Sequence, residues 1–159
     1  MIPGSDMAKD FTRRGIPADK LVPAGIPVRR AFREPLSQKE AKSRLGLEAE
    51  KHYILLSGGS IGCGQIEKAV GKLSRYLKKH PQHHLIVICG NNQPLLARLE
   101  KKFGKQTQIS LLASTNQMAS HLRACDVYLP KPGGLSPTEA AVMGICPLSP
   151  SAAAHAQRG

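Results

Sequence analysis

The chain has 159 residues, enough to bury one real core but too few for two full α/β lobes. Lys and Arg outnumber Asp and Glu by 23 to 11, a net charge of +12, which attracts phosphates, nucleic acid or an anionic membrane face. With three Tyr, three Phe and no Trp, it lacks the aromatic platform of single-strand binders. No apolar run reaches the roughly 20 residues of a spanning helix, and the N-terminus carries no signal-peptide core.

In chain order, the first clear signal is Ser37-Gln38-Lys39-Glu40, a helix capping box. Tyr53 to Ser57 is a compact apolar run that opens into Gly58-Gly59-Ser60-Ile61-Gly62-Cys63-Gly64, a strand running into a glycine loop. Ile66, Ala69, Val70, Leu73, Tyr76 and Leu77 then recur at helical spacing, with Lys68, Lys72, Arg75, Lys78 and Lys79 on the other faces. A second strand, Leu85 to Cys89, closes on Gly90-Asn91-Asn92, and a helix runs from about Pro94 to Phe103. Gln108 to Leu112 is a third strand, Ser114-Thr115-Asn116 a polar turn, and Met118, Leu122 and Ala124 mark a helix up to Cys125. Asp126 to Pro130 is the last strand. It leads into Lys131-Pro132-Gly133-Gly134-Leu135-Ser136-Pro137-Thr138-Glu139-Ala140, whose helix Gly144 ends. This alternation predicts an α/β, Rossmann-like parallel sheet with helices on both faces.

Two of these turns share a chemistry. Each passes from strand through glycines into a helix N-terminus, where free backbone N–H groups and the positive dipole end favour a phosphate. No Gly-Lys-Ser/Thr follows the first loop and its glycines miss the G-x-G-x-x-G spacing, which removes the main support for ATP hydrolysis and NAD chemistry. Glu139 lies on the first turns of the last helix, where it can complement the dipole or accept two hydrogen bonds from a sugar diol. Asn91 and Asn92 read equally well as a plain turn. In parallel sheets ligands bind beyond the carboxyl ends of the strands, where all of these residues fall.

Gly58-Gly59-Ser60, Cys89-Gly90-Asn91-Asn92, Ala124-Cys125-Asp126-Val127 and the Pro-Gly-Gly-Leu…Thr-Glu-Ala motif together resemble the C-terminal, nucleotide-sugar-binding domain of a GT-B glycosyltransferase. Within that fold the chain is most similar to the monogalactosyldiacylglycerol synthases and processive diacylglycerol glucosyltransferases, and more distantly to the lipid-linked peptidoglycan N-acetylglucosaminyltransferase. The resemblance runs from about Met7 to Pro147. It includes Gly15-Ile16-Pro17 with Lys20-Leu21 and Gly25-Ile26-Pro27-Val28, which look like the link and first strand of such domains. It implies a UDP-sugar donor site made of Gly58, Gly59, Ser60, Gly90, Asn91, Asn92, Thr115, Pro132, Gly133, Gly134, Leu135 and Glu139. There the glycine loops meet the diphosphate and Glu139 holds the ribose. Ala113-Ser114-Thr115 departs from the Gly-aromatic-Thr turn that flanks uracil in the family.

The resemblance further implies inverting sugar transfer to a lipid acceptor such as diacylglycerol, with the acceptor site and base on an N-terminal lobe that this chain lacks. No catalytic residue, metal or cofactor is assigned, and the fragment is expected to bind without catalysing. Residues 1–147 form the expected nucleotide-sugar-binding domain and 148–159 a divergent, poorly ordered tail, a truncation or a changed end. The rival reading is a non-catalytic basic module for nucleic acid or anionic membrane lipid, the helix from Ile66 to Lys79 being its basic face. Cys63, Cys89, Cys125 and Cys146 form no C-x-x-C pair, which argues against zinc and redox roles, and reduced thiols point to the cytoplasm, with peripheral attachment to the inner face of the membrane the alternative to a free protein. Cys89 and Cys125 read as small buried apolar residues. His83 and His84 read as surface residues before a strand, and His121 as a solvated or capping histidine.

Overall fold

The computed structural model describes residues 1–58, 66–131, 135–146 and 148. Helix α1, Ala8–Arg13, lies in an N-terminal stretch closed on itself by an isolated bridge between Ile2 and Pro23. Helix α2 is Gln38–Arg44, and both arms of its capping box are made: Ser37 N donates to Glu40 Oε2 (2.9 Å), and Glu40 N to Ser37 Oγ (3.2 Å). There follow β1 (His52–Ser57), α3 (Ile66–Leu77), β2 (His83–Ile88), α4 (Gln93–Phe103), β3 (Ile109–Leu112), α5 (Met118–Ala124), β4 (Val127–Pro130) and α6 (Leu135–Val142). The strands form one parallel sheet in the order β3-β2-β1-β4.

Period-two alternation sorts the strand side chains between two cores. Ile54, Leu56, Leu85, Val87 and Ile109 meet Ile66, Val70 and Leu77 of α3 and Leu95 and Leu99 of α4 on one face. Tyr53, Leu55, Ile86, Ile88 and Tyr128 point the other way, against Phe32, Leu122 of α5, and Ala140 and Met143 of α6 and its end. Both faces being covered is what a parallel sheet of Val, Ile and Leu runs requires.

Several polar contacts fix the frame. Asp126 accepts from Tyr53 N at Oδ2 (2.7 Å) and donates its own N–H to Tyr53 O (2.8 Å), locking the start of β4 to β1. Lys42 is buried, and its Nζ donates to Ala49 O and Lys51 O, 2.8 Å each, pinning the turn before β1. Helix α6 ends in a Schellman motif, Ile145 N to Ala140 O and Gly144 N to Ala141 O, with Gly144 at φ +71°. Beyond it, Leu148 N donates to Tyr128 O (2.8 Å).

Four expectations are corrected. Residues 25–28 form no strand: Gly25 takes φ +75° and Pro27 has no ladder donor, so the segment passes into a 3-10 turn at Arg30–Phe32. His83 and His84 open β2 rather than precede it, and both are half-buried, His84 Nε2 lying 2.8 Å from Ser110 Oγ. His121 is buried, because α5 packs that side against α2 and the sheet. Tyr76 leaves the apolar stripe of α3 and stacks on His80 at 4.1 Å between centroids. Cys89 and Cys125 are buried as expected; burial raises both thiol pKa values, that of Cys125 to about 12.

Candidate functional site

The crossovers β1-α3-β2 and β2-α4-β3 carry the sheet one way from β1, and α5 then returns the chain across the other face to place β4 on the opposite side of β1. The strand order therefore reverses between β1 and β4, and in open α/β sheets the crevice beyond such a reversal is where ligands bind. Gly58 follows β1 and Lys131 follows β4 at that point. The ladder holds them together, with Lys131 N donating to Ser57 O at 2.9 Å. Gly59, Ser60, Pro132, Gly133 and Gly134, the central residues of both loops, lie outside the described residues, as do Cys63 and positions 149–159.

The remaining candidates follow the carboxyl ends of β2, β3 and β4, and several N–H groups there are already engaged. Gly58 N donates to Ile88 O (3.1 Å) and Gly90 N to Ala113 O (3.0 Å), extending the ladder past β1 and β2. Asn91 and Asn92 form the turn into α4, and Asn92 Oδ1 caps that helix by accepting from Leu95 N at 3.0 Å. Thr115 Oγ1 accepts from Gln117 N (3.0 Å) just before α5. Ser114 and Thr115 also line a cleft of about 350 Å³ with Arg44, Gln117 and His121, between α2, α5 and the edge strand β3.

On the β4 side, Leu135 is exposed at the first position of α6 and Glu139 stands one turn further on. Its carboxylate is largely shielded, and Arg29 Nη2 approaches Glu139 Oε1 to 3.4 Å. The Tyr128 hydroxyl, 3.0 Å from Ser57 Oγ and also bonded to Ser136, joins the end of β1 and the body of β4 to the first turn of α6. Burial holds the Tyr128 pKa above its ordinary value, so the phenol stays a neutral hydrogen-bonding group. Sequence reasoning missed both Arg29 and Tyr128. Arg29 lies 110 positions from its partner, and Tyr128 reads only as an apolar strand residue.

No family model matches the chain. A processive diacylglycerol beta-glucosyltransferase of Staphylococcus epidermidis is 30% identical over 135 residues, covering 84% of this chain and 34% of that protein. A probable chloroplastic monogalactosyldiacylglycerol synthase 2 of Oryza sativa subsp. indica is 28% identical over 148 residues, 90% of this chain and 31% of the relative. The chain's homologues are diacylglycerol glycosyltransferases. It spans about a third of the length of the curated relatives it matches.

The fold agrees, and it is that of one GT-B lobe. WaaG, a glycosyltransferase involved in lipopolysaccharide biosynthesis, superposes with TM-score 0.58 at 17% identity over 77% of this chain and 35% of its own. Anabaena HepE, solved in complex with UDP and glucose, gives TM-score 0.58 at 15% identity over 92% of this chain and 42% of its own. Among the described residues of the GT-B lobe, no cluster of His, Cys, Asp or Glu is arranged to hold a metal, and no helix is long and apolar enough to cross a membrane.

Proposed function

We propose that this lobe binds the UDP moiety of a sugar donor in the crevice between β1 and β4, as the donor half of an enzyme that glycosylates a lipid such as diacylglycerol. The observation that carries the reading is the reversal of strand order there, which sets Gly58 after β1 beside Lys131 after β4, the residues from which the two glycine-rich segments depart. The glycine loops and the N-terminus of α6 would stabilise the diphosphate through backbone N–H groups and the helix dipole, and Glu139 would accept the ribose hydroxyls. No resident metal or cofactor is called for in this scheme.

Transfer, with inversion, requires acceptor hydroxyl, base and anomeric carbon aligned in a closed cleft, and the GT-B architecture supplies acceptor and base from a second lobe. Positioning contributes roughly 7 to 11 kcal/mol to such reactions, more than a donor site alone offsets. The chain by itself is therefore assigned binding without turnover. Peripheral attachment at the cytoplasmic membrane face is proposed through the exposed lysines of α3 rather than through the groove it forms with α4, where Arg98 and Lys102 are both paired with Glu67.

Titration calorimetry with UDP and uridine is the test. UDP binding well above uridine supports the site, and equal or absent affinity removes it. A random DNA duplex titrated at rising salt serves as the control, since binding that exceeds UDP and collapses with salt favours the basic-module alternative. Radiolabelled donor with diacylglycerol micelles, with and without an N-terminal lobe supplied in trans, then separates binding from transfer. Glycolipid made by the chain alone overturns the assignment of the base to another lobe.

A further inference from the structure

A cation already rests on the carboxylate that would take the ribose. Arg29 Nη2 lies 3.4 Å from Glu139 Oε1; the Glu139 side chain is 15% exposed and that of Arg29 65%. The guanidinium carbon also sits 4.9 Å from the centroid of the Phe32 ring, and Phe32 is 1% exposed. The turn Arg30–Phe32 packs on α6, so the backbone bearing Arg29 and the helix bearing Glu139 are held as one unit. Arg29 is thus anchored on both sides, by a core aromatic and by Glu139, while its outer face meets water.

A shielded carboxylate with no partner would swing toward solvent. With Oε1 held by Arg29, Oε2 makes no hydrogen bond among the described residues. That leaves the fixed carboxylate able to accept from a vicinal diol.

We propose that Arg29 is the positioning residue for Glu139, fixing the carboxylate for the 2′- and 3′-hydroxyls of a nucleoside diphosphate, so that its effect on affinity passes through those hydroxyls alone. This rests on the UDP reading of the crevice. An arginine that instead touched the diphosphate would act on every nucleoside diphosphate alike, whatever its sugar.

The experiment is calorimetry of the full chain with UDP and 2′,3′-dideoxy-UDP, for wild type, Arg29→Ala, Arg29→Gln, Arg29→Lys, Glu139→Ala and the double variant Arg29→Ala/Glu139→Ala. Circular dichroism melts check that each is folded. Arg29→Gln keeps most of the stem packing on Phe32 should the alanine variant fail to fold. The wild type is expected to prefer UDP by about tenfold or more, the effect of one or two charge-assisted hydrogen bonds. Arg29→Ala and Arg29→Gln should erase most of that preference while leaving dideoxy-UDP affinity unchanged. Arg29→Lys should restore part of it, and the double variant should bind no worse than Glu139→Ala.

Equal loss of affinity for both nucleotides on replacing Arg29, or additive effects in the double variant, would place Arg29 on the phosphates and overturn the inference. An unchanged hydroxyl preference would overturn it too. A wild-type chain that binds neither nucleotide refutes the UDP reading itself, a pattern distinct from binding without dependence on Arg29.

Discussion

The Tyr128 hydroxyl lies 3.0 Å from Ser57 Oγ and also bonds Ser136, so one phenol ties the last residue of β1 to the first turn of α6. Both partners flank the crevice, and Ser57 is itself buried. Tyr128→Phe removes the hydroxyl and leaves Ser57 Oγ without its partner. A loss of about 1 to 2 kcal/mol is expected, the range for a buried hydrogen bond plus an orphaned group. Urea unfolding at constant m value measures it; an unchanged midpoint would mean that Ser57 and Ser136 find other partners.

Leu85 is fully buried in the middle of β2, among α3, α4 and β1. Leu85→Ala should cost about 2 to 5 kcal/mol through lost transfer energy and a cavity that a parallel sheet covered on both sides cannot collapse. Tyr76→Ala, on the half-exposed side of α3, should stay within about 1 kcal/mol. Equal costs for the two would contradict the division of α3 into packed and open faces.

Burial lowers the folded pKa values of His83, His84 and His121 below the ordinary 6.5, with the charges of His52 and His80 adding to the effect at His83 and that of Lys51 at His84. The unfolded chain therefore binds protons more readily near and below pH 6.5 than the fold does. Stability from these groups is fully present above that pH and is lost as pH falls through 6.5 toward the folded values. The urea midpoint should be lower at pH 5.5 than at pH 7.5, and His121→Leu should flatten the difference. A midpoint that rises on acidification would reverse the assigned sign. Glu40 and Glu67, whose pKa values lie below the ordinary 4.5 chiefly through hydrogen bonds from Ser37 and Lys102, act only in a more acidic window.

Cys146 is exposed, whereas burial keeps Cys89 and Cys125 as neutral thiols. Iodoacetamide at pH 8 should label Cys146 in the native protein and reach Cys89 and Cys125 only in denaturant, as read by peptide mass spectrometry. Native labelling of Cys125 would show that α5 opens locally.

The strands and helices were legible because apolar runs of five residues alternate with helical spacing and glycine turns. Ser37 announced one helix start through its capping box and Pro94 another through its fit to a first turn, whereas the cap from Asn92 was read only as a turn. Strand order was not legible, since the sequence of elements is the same whichever side of β1 receives β4. His121 was misread because spacing reports a helix face without saying which neighbour covers it, and here α2 does. The Gly25-Ile26-Pro27-Val28 stretch looked strand-like from its apolar residues, yet Pro27 and the left-handed Gly25 deny it a ladder. The Arg29–Glu139 pair had no local signal at all, being a product of tertiary folding.

Sheets with an open edge are templates for unwanted association, because unpaired carbonyls recruit any extended chain that passes. On the outer side of β4, Tyr128 O already accepts from Leu148 N, so polypeptide leaving α6 occupies the very acceptor a stray strand would seek. That single bond makes the β4 side a guarded margin, and Leu148→Pro, which deletes the donor, should raise the chain's tendency to cluster at high concentration, as read by light scattering against the wild type.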